Sequence, residues 1–285
     1  MQLFSEVKTY EAGSKKRRMI VLRPKDAAGP VPGILWIHGG GYALGMASMV
    51  YASCGKMLAK HFGAVVVSPA YRLSWREPYP AAFEDCYGAL VWMYRHAAEL
   101  EIDPERIVVG GESAGGGLAA AVCLRARDTG EVPVAMQIPL YPMLDCRDTE
   151  TSRDNHGFVW NTRRNHWGWK MYLGKLWGSE EVPVYASPAG AEDLTGMPPL
   201  FTFVADGEPF YAETLAYAEK LHACGVETET WVWPGRTHAF DLMLPWTGKA
   251  RGARRALREA YLRRIGRGES GVPGSKSKDS IKCAK

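Results

Sequence analysis

Four compact apolar runs rich in β-branched residues constrain this chain more than any other feature: Gly33-Ile34-Leu35-Trp36-Ile37, Ala64-Val65-Val66-Val67, Arg106-Ile107-Val108-Val109 and Val134-Ala135-Met136-Gln137-Ile138. Runs of this kind suit strands buried on both faces of a parallel sheet. Between them lie stretches of helical spacing, notably residues 82–100, where Phe83, Tyr87, Leu90, Val91 and Tyr94 fall on one side of a helix. Strand alternating with helix predicts a three-layer α/β sandwich with right-handed crossovers. The strand pattern resumes at residues 200–205 and 228–233, and the helical one at 212–224 and 250–265. Ahead of all this, residues 3–22 read as a hairpin of two alternating strands joined at Glu11-Ala12-Gly13-Ser14.

At 285 residues and 46% apolar, the chain can bury a full core, which excludes a disordered class. Its apolar runs are far shorter than the roughly 20 residues that cross a bilayer, so no membrane span is expected. Residues 1–10 alternate polar and apolar, unlike a secretory signal. Cys54, Cys86, Cys123, Cys146, Cys224 and Cys283 lie far apart with no pair or Cys/His cluster at metal-site spacing, so free thiols and no metal are expected. Together these features point to a cytoplasmic protein.

The formal net charge of +4 is uneven. Lys249, Arg251, Arg254, Arg255, Arg258, Arg263, Arg264 and Arg267, opposed there only by Glu259, make their segment +7 and leave the rest at −3. Leu257, Tyr261 and Ile265 recur four apart beside Ala253 and Ala260, so one face of this helix packs on the body and the arginines take the solvated face. Nucleic acid is therefore not an expected partner.

Residues 145–197 break the rhythm. They are dense in Trp, Arg and Asn, including Trp160, Trp167, Trp169 and Trp177, and separate two strands that should be sheet neighbours. We read them as an insertion whose aromatics either cap a pocket or fasten the insertion to the body. Residues 1–265 then form a single domain, and 266–285, poor in apolar residues, a flexible tail.

The sharpest chemical signal is Gly111-Glu112-Ser113-Ala114-Gly115, set between the strand Ile107-Val108-Val109 and the helical run 118–127. A serine in a tight strand-to-helix turn needs small neighbours, and it stands free at the helix start, so Ser113 is a nucleophile candidate. The second signal, His38-Gly39-Gly40-Gly41, also follows a strand. Its bare amides suit a developing oxyanion, and we assign the donors to Gly40, Gly41 and Ala114. No Lys-Ser/Thr follows at the distance of a phosphate-binding loop, which disfavours a nucleotide.

A serine needs a base to take its proton and an acid to orient that base. His238, in a loop after strand 228–233, reaches the same C-terminal sheet edge as Ser113. His38 instead holds the glycine loop, His61, His96 and His222 sit in helical stretches, and His156 and His166 lie in the insertion. The loop after strand 200–205, Asp206-Gly207-Glu208-Pro209-Phe210, offers two acids, and either preserves the chain order Ser, acid, His.

These segments, with Tyr71-Arg72-Leu73, Pro78-Tyr79-Pro80-Ala81-Ala82, Ile102-Asp103-Pro104-Glu105-Arg106-Ile107, Ser187-Pro188 and Leu194-Thr195-Gly196-Met197-Pro198-Pro199, resemble the hormone-sensitive-lipase-like esterases over nearly the whole chain. The resemblance implies an α/β-hydrolase fold, a mostly parallel sheet flanked by helices with a cap insertion. It also implies that Glu208, which stands where the family's acid precedes Pro and an apolar residue, is the acid rather than Asp206. The chain departs from the family in carrying Glu112 for a common Asp and Glu208 for an Asp. It also lacks the helical segment that usually precedes the first strand, so the cap falls to 145–197 or to another subunit.

The resulting expectation is a serine hydrolase that cleaves small-molecule, short-chain carboxylic esters through Ser113, His238 and Glu208, without a cofactor. Tyr42, Phe210 and Tyr211 are expected at the substrate pocket; the oligomeric state stays open, with a homodimer one option because edge strands of this fold often pair. Its rivals are a deacetylase or amidase acting on acetylated sugars or N-acyl groups, and a small-molecule receptor that has lost turnover.

Overall fold

In the computed structural model, which describes residues 1–25, 29–266 and 281–284, the opening hairpin is β1 (Leu3–Ala12) and β2 (Lys15–Pro24). Its turn is tighter than the sequence suggested: Ala12 pairs Lys15, leaving two residues, and Gly13 supplies the positive φ of 58° that such a turn requires. The apolar runs become β3 (Val31–Ile37), β4 (Val65–Pro69), β5 (Ile102–Glu112) and β6 (Met136–Leu140). β7 (Leu200–Ala205) and β8 (Thr228–Trp233) match their expected bounds. A ninth strand, β9 (Ile281–Cys283), was not anticipated; it lies in the segment expected to be a flexible tail, of which 267–280 and 285 fall outside the described residues.

The sheet order is β1-β2-β4-β3-β5-β6-β7-β8-β9. β1 and β2 run antiparallel to their neighbours, whereas every pair from β4 to β9 is parallel. The order reverses around β3, so the loops after β3 and β5 leave adjacent strand ends, the place where open α/β sheets bind their ligands. The insertion does separate sheet neighbours: Gln137 of β6 pairs Leu200 of β7.

Helices cover both faces. α2 (Ala81–Arg95), α3 (Ala114–Thr129) and α5 (Tyr211–Ala223) build one core, with Phe83, Leu90, Leu118, Val122 and Leu221 buried against Val65, Val67, Ile107 and Val109. α1 (Cys54–Phe62) and α7 (Gly248–Ile265) build the other around Trp36, Leu58, Val66, Phe203, Leu257 and Tyr261. α3 buries most of its surface, which is why it is glycine- and alanine-rich and not amphipathic. The basic face of α7 is solvated as expected, and Arg263 and Arg264 reach Glu229 and Glu227. Among the described residues no helix is long and apolar enough to cross a membrane.

The insertion carries α4 (Thr162–Leu173), begun by Asn161, whose side chain accepts the Arg164 N–H at 3.1 Å. Trp169 and Tyr172 on α4 are buried and pack on Tyr42, so this helix is seated on the body of the molecule. α6 (Phe240–Met243) is a single turn between β8 and α7.

Candidate active site

The turn between β5 and α3 places Ser113 at φ 58° and ψ −123°, a strained conformation for any residue but glycine. Several bonds hold it there. Its N–H donates to Leu140 O (3.0 Å), and its carbonyl accepts from Gly117 N (3.0 Å) and Met143 N (3.1 Å). Close backbone approach explains the glycines: a Cβ at Gly115 would lie 2.2 Å from Ile37 O, and one at Gly39 would lie 2.9 Å from Glu112 O. The strand-to-helix turn and the loop after β3 thus pack main chain on main chain.

That second loop, residues 38–41, carries Gly40 and Gly41 at φ 120° and 57°. Among the described residues the amides of Gly40, Gly41 and Ala114, the first residue of α3, have no main-chain acceptor. His38 is a support, as expected. It is buried and stacked on Tyr71 at 4.2 Å, and its Nδ1 bonds Gly39 O at 2.7 Å. Burial pushes its pKa down to about 4. Tyr71 also donates to His38 O (3.0 Å), and the adjacent Arg72 clamps buried Asp85 of α2 with Nε and a terminal nitrogen (2.9 and 2.8 Å). The Tyr71-Arg72 motif therefore anchors the glycine loop to the sheet and to α2.

His238 follows β8. Its Nε2 lies 2.9 Å from Ser113 Oγ, and its Nδ1 bonds Glu208 Oε2. The other Glu208 oxygen accepts the Ala205 N–H at 2.9 Å. Asp206, the competing acid, is exposed and accepts Gly235 N–H at 2.8 Å, clipping the acid loop to the histidine loop. The carboxylate that reaches the imidazole is thus the one two residues further on. All three side chains of the serine–histidine–glutamate chain are buried, with Ser113 7% and His238 4% exposed.

A family model described as the alpha/beta hydrolase fold matches residues 34–242. The chain belongs to this family, among the hormone-sensitive-lipase-like esterases. It is 33% identical over 208 residues to the esterase LipI of Mycobacterium tuberculosis, covering 72% of this chain and 64% of that one. To the carboxylesterase NlhH of the same species it is 34% identical over 229 residues, covering 78% and 71%. The chain thus spans about two thirds of the length of these curated relatives. Among solved structures, a bacterial heroin esterase superposes with a TM-score of 0.88 at 35% identity, covering 92% of this chain and 84% of that chain.

Within this family fold, two of the residues expected to face substrate do not. Tyr42 is 1% exposed, stacked on Tyr172 at 3.9 Å, with its hydroxyl bonded to Met143 O (2.8 Å). Phe210 is wholly buried and meets the His238 ring edge-on at 5.1 Å, so it steadies the imidazole. Both are large aromatics beside the motifs, and proximity in sequence did not reveal that the core takes them. Tyr211 alone of the three is half-buried. The side chain that does approach the site from the insertion is Trp160: a Cβ at Gly41 would lie 2.2 Å from its Cη2, and its ring is 6.4 Å from that of His238. Tyr141, just after β6, also meets His238 edge-on at 5.1 Å, and no sequence signal marked it.

Proposed function

We propose that this chain hydrolyses carboxylic esters of small molecules through an acyl-enzyme. Ser113 attacks the ester carbonyl while His238 takes its proton, and the imidazolium so formed is stabilised by Glu208. The tetrahedral oxyanion is received by the amides of Gly40, Gly41 and Ala114. His238 returns the proton to the leaving alcohol, then activates water to release the acid. The steps combine nucleophilic attack by Ser113, proton transfer by His238 and charge stabilisation by Glu208 and the main-chain amides.

The observation that carries this reading is the continuous chain from Ser113 Oγ through the two ring nitrogens of His238 to Glu208. The esterase names of its relatives support the ester as substrate class. Short acyl groups are favoured because Trp160, seated against Gly41, narrows the space beside the oxyanion donors. All six cysteines are free thiols, which suits a reducing cytoplasm. Edge strand β1, with Phe4 and Val7 exposed, is the surface through which a homodimer would pair.

Fluorophosphonate labelling lost in Ser113→Ala, with steady-state rates on aryl esters of increasing chain length, tests the reading. Labelled Ser113 and rates that fall beyond about eight carbons are expected, since one extra buried methylene shifts discrimination by about 1–3 kcal/mol. Faster turnover of an N-acyl aryl amine or an acetylated sugar would overturn the ester assignment.

A further inference from the structure

Two more carboxyls are buried next to the reacting pair, and the hydrolysis leaves both without a role. Glu112 immediately precedes Ser113, and Asp241 follows His238 by three residues. They are 5% and 0% exposed. Cys54, the first residue of α1, touches both: its N–H donates to Glu112 Oε1 (3.3 Å) and its thiol to Asp241 Oδ2 (3.7 Å). Trp36 of β3 donates its indole N–H to Glu112 Oε2 at 2.8 Å. Among the described residues the cation that reaches this cluster, Arg254 of α7, bonds the Asp241 main-chain carbonyl rather than its carboxyl. Tyr141 lies close enough to both acids to feel their charge, its ring rests edge-on against His238, and its buried hydroxyl has no hydrogen-bond partner among the described residues. Asp241 Oδ1 has no hydrogen-bond partner among the described residues.

Enclosed carboxyls whose only side-chain donors among the described residues are the Trp36 indole and the Cys54 thiol, with the Cys54 amide beside them, cannot both ionise at ordinary cost, and such a pair titrates as a unit. We propose that Glu112 and Asp241 are positioning residues that hold a single proton between them behind the active site and, with Tyr141, keep the Ser113 and His238 segments in register for proton transfer. This inference rests on the reading of Ser113 and His238 as the reacting pair. Supporting it, burial first and the Asp241 charge second push the Glu112 carboxyl up to about 8, and burial also raises Asp241. When the last proton leaves, two like charges press apart, and each is tied by a few bonds of main chain to one member of the 2.9 Å Ser113–His238 contact. The rate of proton transfer suffers, while substrate binding does not.

The test is kcat and KM on an aryl acetate from about pH 6 to about pH 10, for wild type, Glu112→Gln and Asp241→Asn, each of which can ionise only once at this site. Wild-type kcat falls on an alkaline limb with KM constant, and in both amide variants that limb moves up by about one pH unit or more. Folded variants with the wild-type limb would overturn the proposal. Should neither amide variant fold, Tyr141→Phe serves: it keeps the ring on His238 but removes the hydroxyl that favours ionised Asp241, so the limb rises, and an unmoved limb would overturn the proposal. An unlabelled Ser113 in the fluorophosphonate assay would instead sink the hydrolase reading itself, which separates the two failures.

Discussion

Glu208 joins its own loop to that of His238: one carboxylate oxygen accepts the Ala205 N–H at the end of β7, and the other bonds His238 Nδ1 after β8. The first bond fixes the carboxylate without a second charged residue, so its negative charge is free to stabilise an imidazolium.

Neutralising that acid removes both the orientation and the charge. Glu208→Gln should lower kcat by about 10⁴-fold with KM little changed, the size of loss seen when an orienting acid is amidated. Asp206→Asn should lose less than about tenfold, because an asparagine oxygen can still accept the Gly235 N–H that Asp206 now takes. Parallel kinetics on the two variants decide which acid serves. Collapse in Asp206→Asn would reverse the assignment.

The two strands that carry this acid and this histidine were readable to the residue, because buried parallel strands stand out as short apolar runs between turn formers. The site was readable for the same reason: each of its loops leaves the C-terminal end of such a strand. The acid was not decided by pattern, since Asp206 and Glu208 share one loop and only three-dimensional reach separates them. α1 was legible only as a helical stretch around His61; its bounds, set by the Ser53 side chain that caps its start and by Gly63 that ends it at φ 71°, were not drawn from the short apolar pattern. Tyr42 and Phe210 were misplaced because burial depends on what α4 and the His238 loop bring from far away in sequence. β9 lies in a polar tail, and its three residues gain order only by pairing with β8.

Gly41 is the point where conformation and packing coincide. At φ 57°, with Trp160 Cη2 2.2 Å from a would-be Cβ, an alanine must displace either the amide or the indole. Gly41→Ala should therefore reduce kcat by about 10²–10³-fold, as loss of an oxyanion donor does. Circular dichroism should stay unchanged, since the position lies in a loop. A variant with wild-type kcat would remove Gly41 from the oxyanion donors.

Trp160 stands between the insertion and the site, bonded only weakly through Nε1 to Asn165 Oδ1 at 3.4 Å. Trp160→Ala should open space beside Gly41 and His238 and raise the ratio of octanoate to acetate turnover by about tenfold or more, given about 1–3 kcal/mol per accommodated methylene. A series of p-nitrophenyl esters measures it. An unchanged ratio would mean that the acyl chain runs elsewhere.

Arg72 and Asp85 join the glycine loop to α2, and Asp85 accepts from Arg72 N, Nε and a terminal nitrogen and from Arg17 Nε (3.2 Å). Asp85→Ala takes the buried carboxylate from Arg72 and Arg17 at once, leaving the Arg72 guanidinium, among the described residues, only Glu77 (2.6 Å) and Ala81 O (3.3 Å). A loss of about 3–5 kcal/mol is expected in urea unfolding, the range for breaking one side of a buried pair. A loss under about 1 kcal/mol would reduce this contact to a surface pair.

Glu112 gives the protein a stability that depends on pH, with a definite sign. In the folded chain burial holds the carboxyl protonated up to about 8, whereas the unfolded chain releases the proton near the ordinary value of 4.5. Between these values the unfolded state binds fewer protons than the folded one, so stability from this group is complete below about 4.5 and is lost as pH rises through about 8, at no more than about 1.4 kcal/mol per unit. His38 acts in the opposite sense. Its folded pKa is depressed to about 4, so its contribution is present above the ordinary 6.5 and is lost as pH falls. The difference between Glu112→Gln and wild type cancels His38, which is common to both, and leaves the titration of Glu112 together with the Asp241 coupled to it. The Tm of the variant relative to wild type should rise steadily from about pH 4.5 to about pH 8 and be level outside that window, on top of a constant offset for the acceptor lost to the Cys54 N–H. A difference that stays level throughout would mean that Glu112 is ionised in the folded protein at neutral pH, and that the indole of Trp36 and the Cys54 amide suffice to hold its charge.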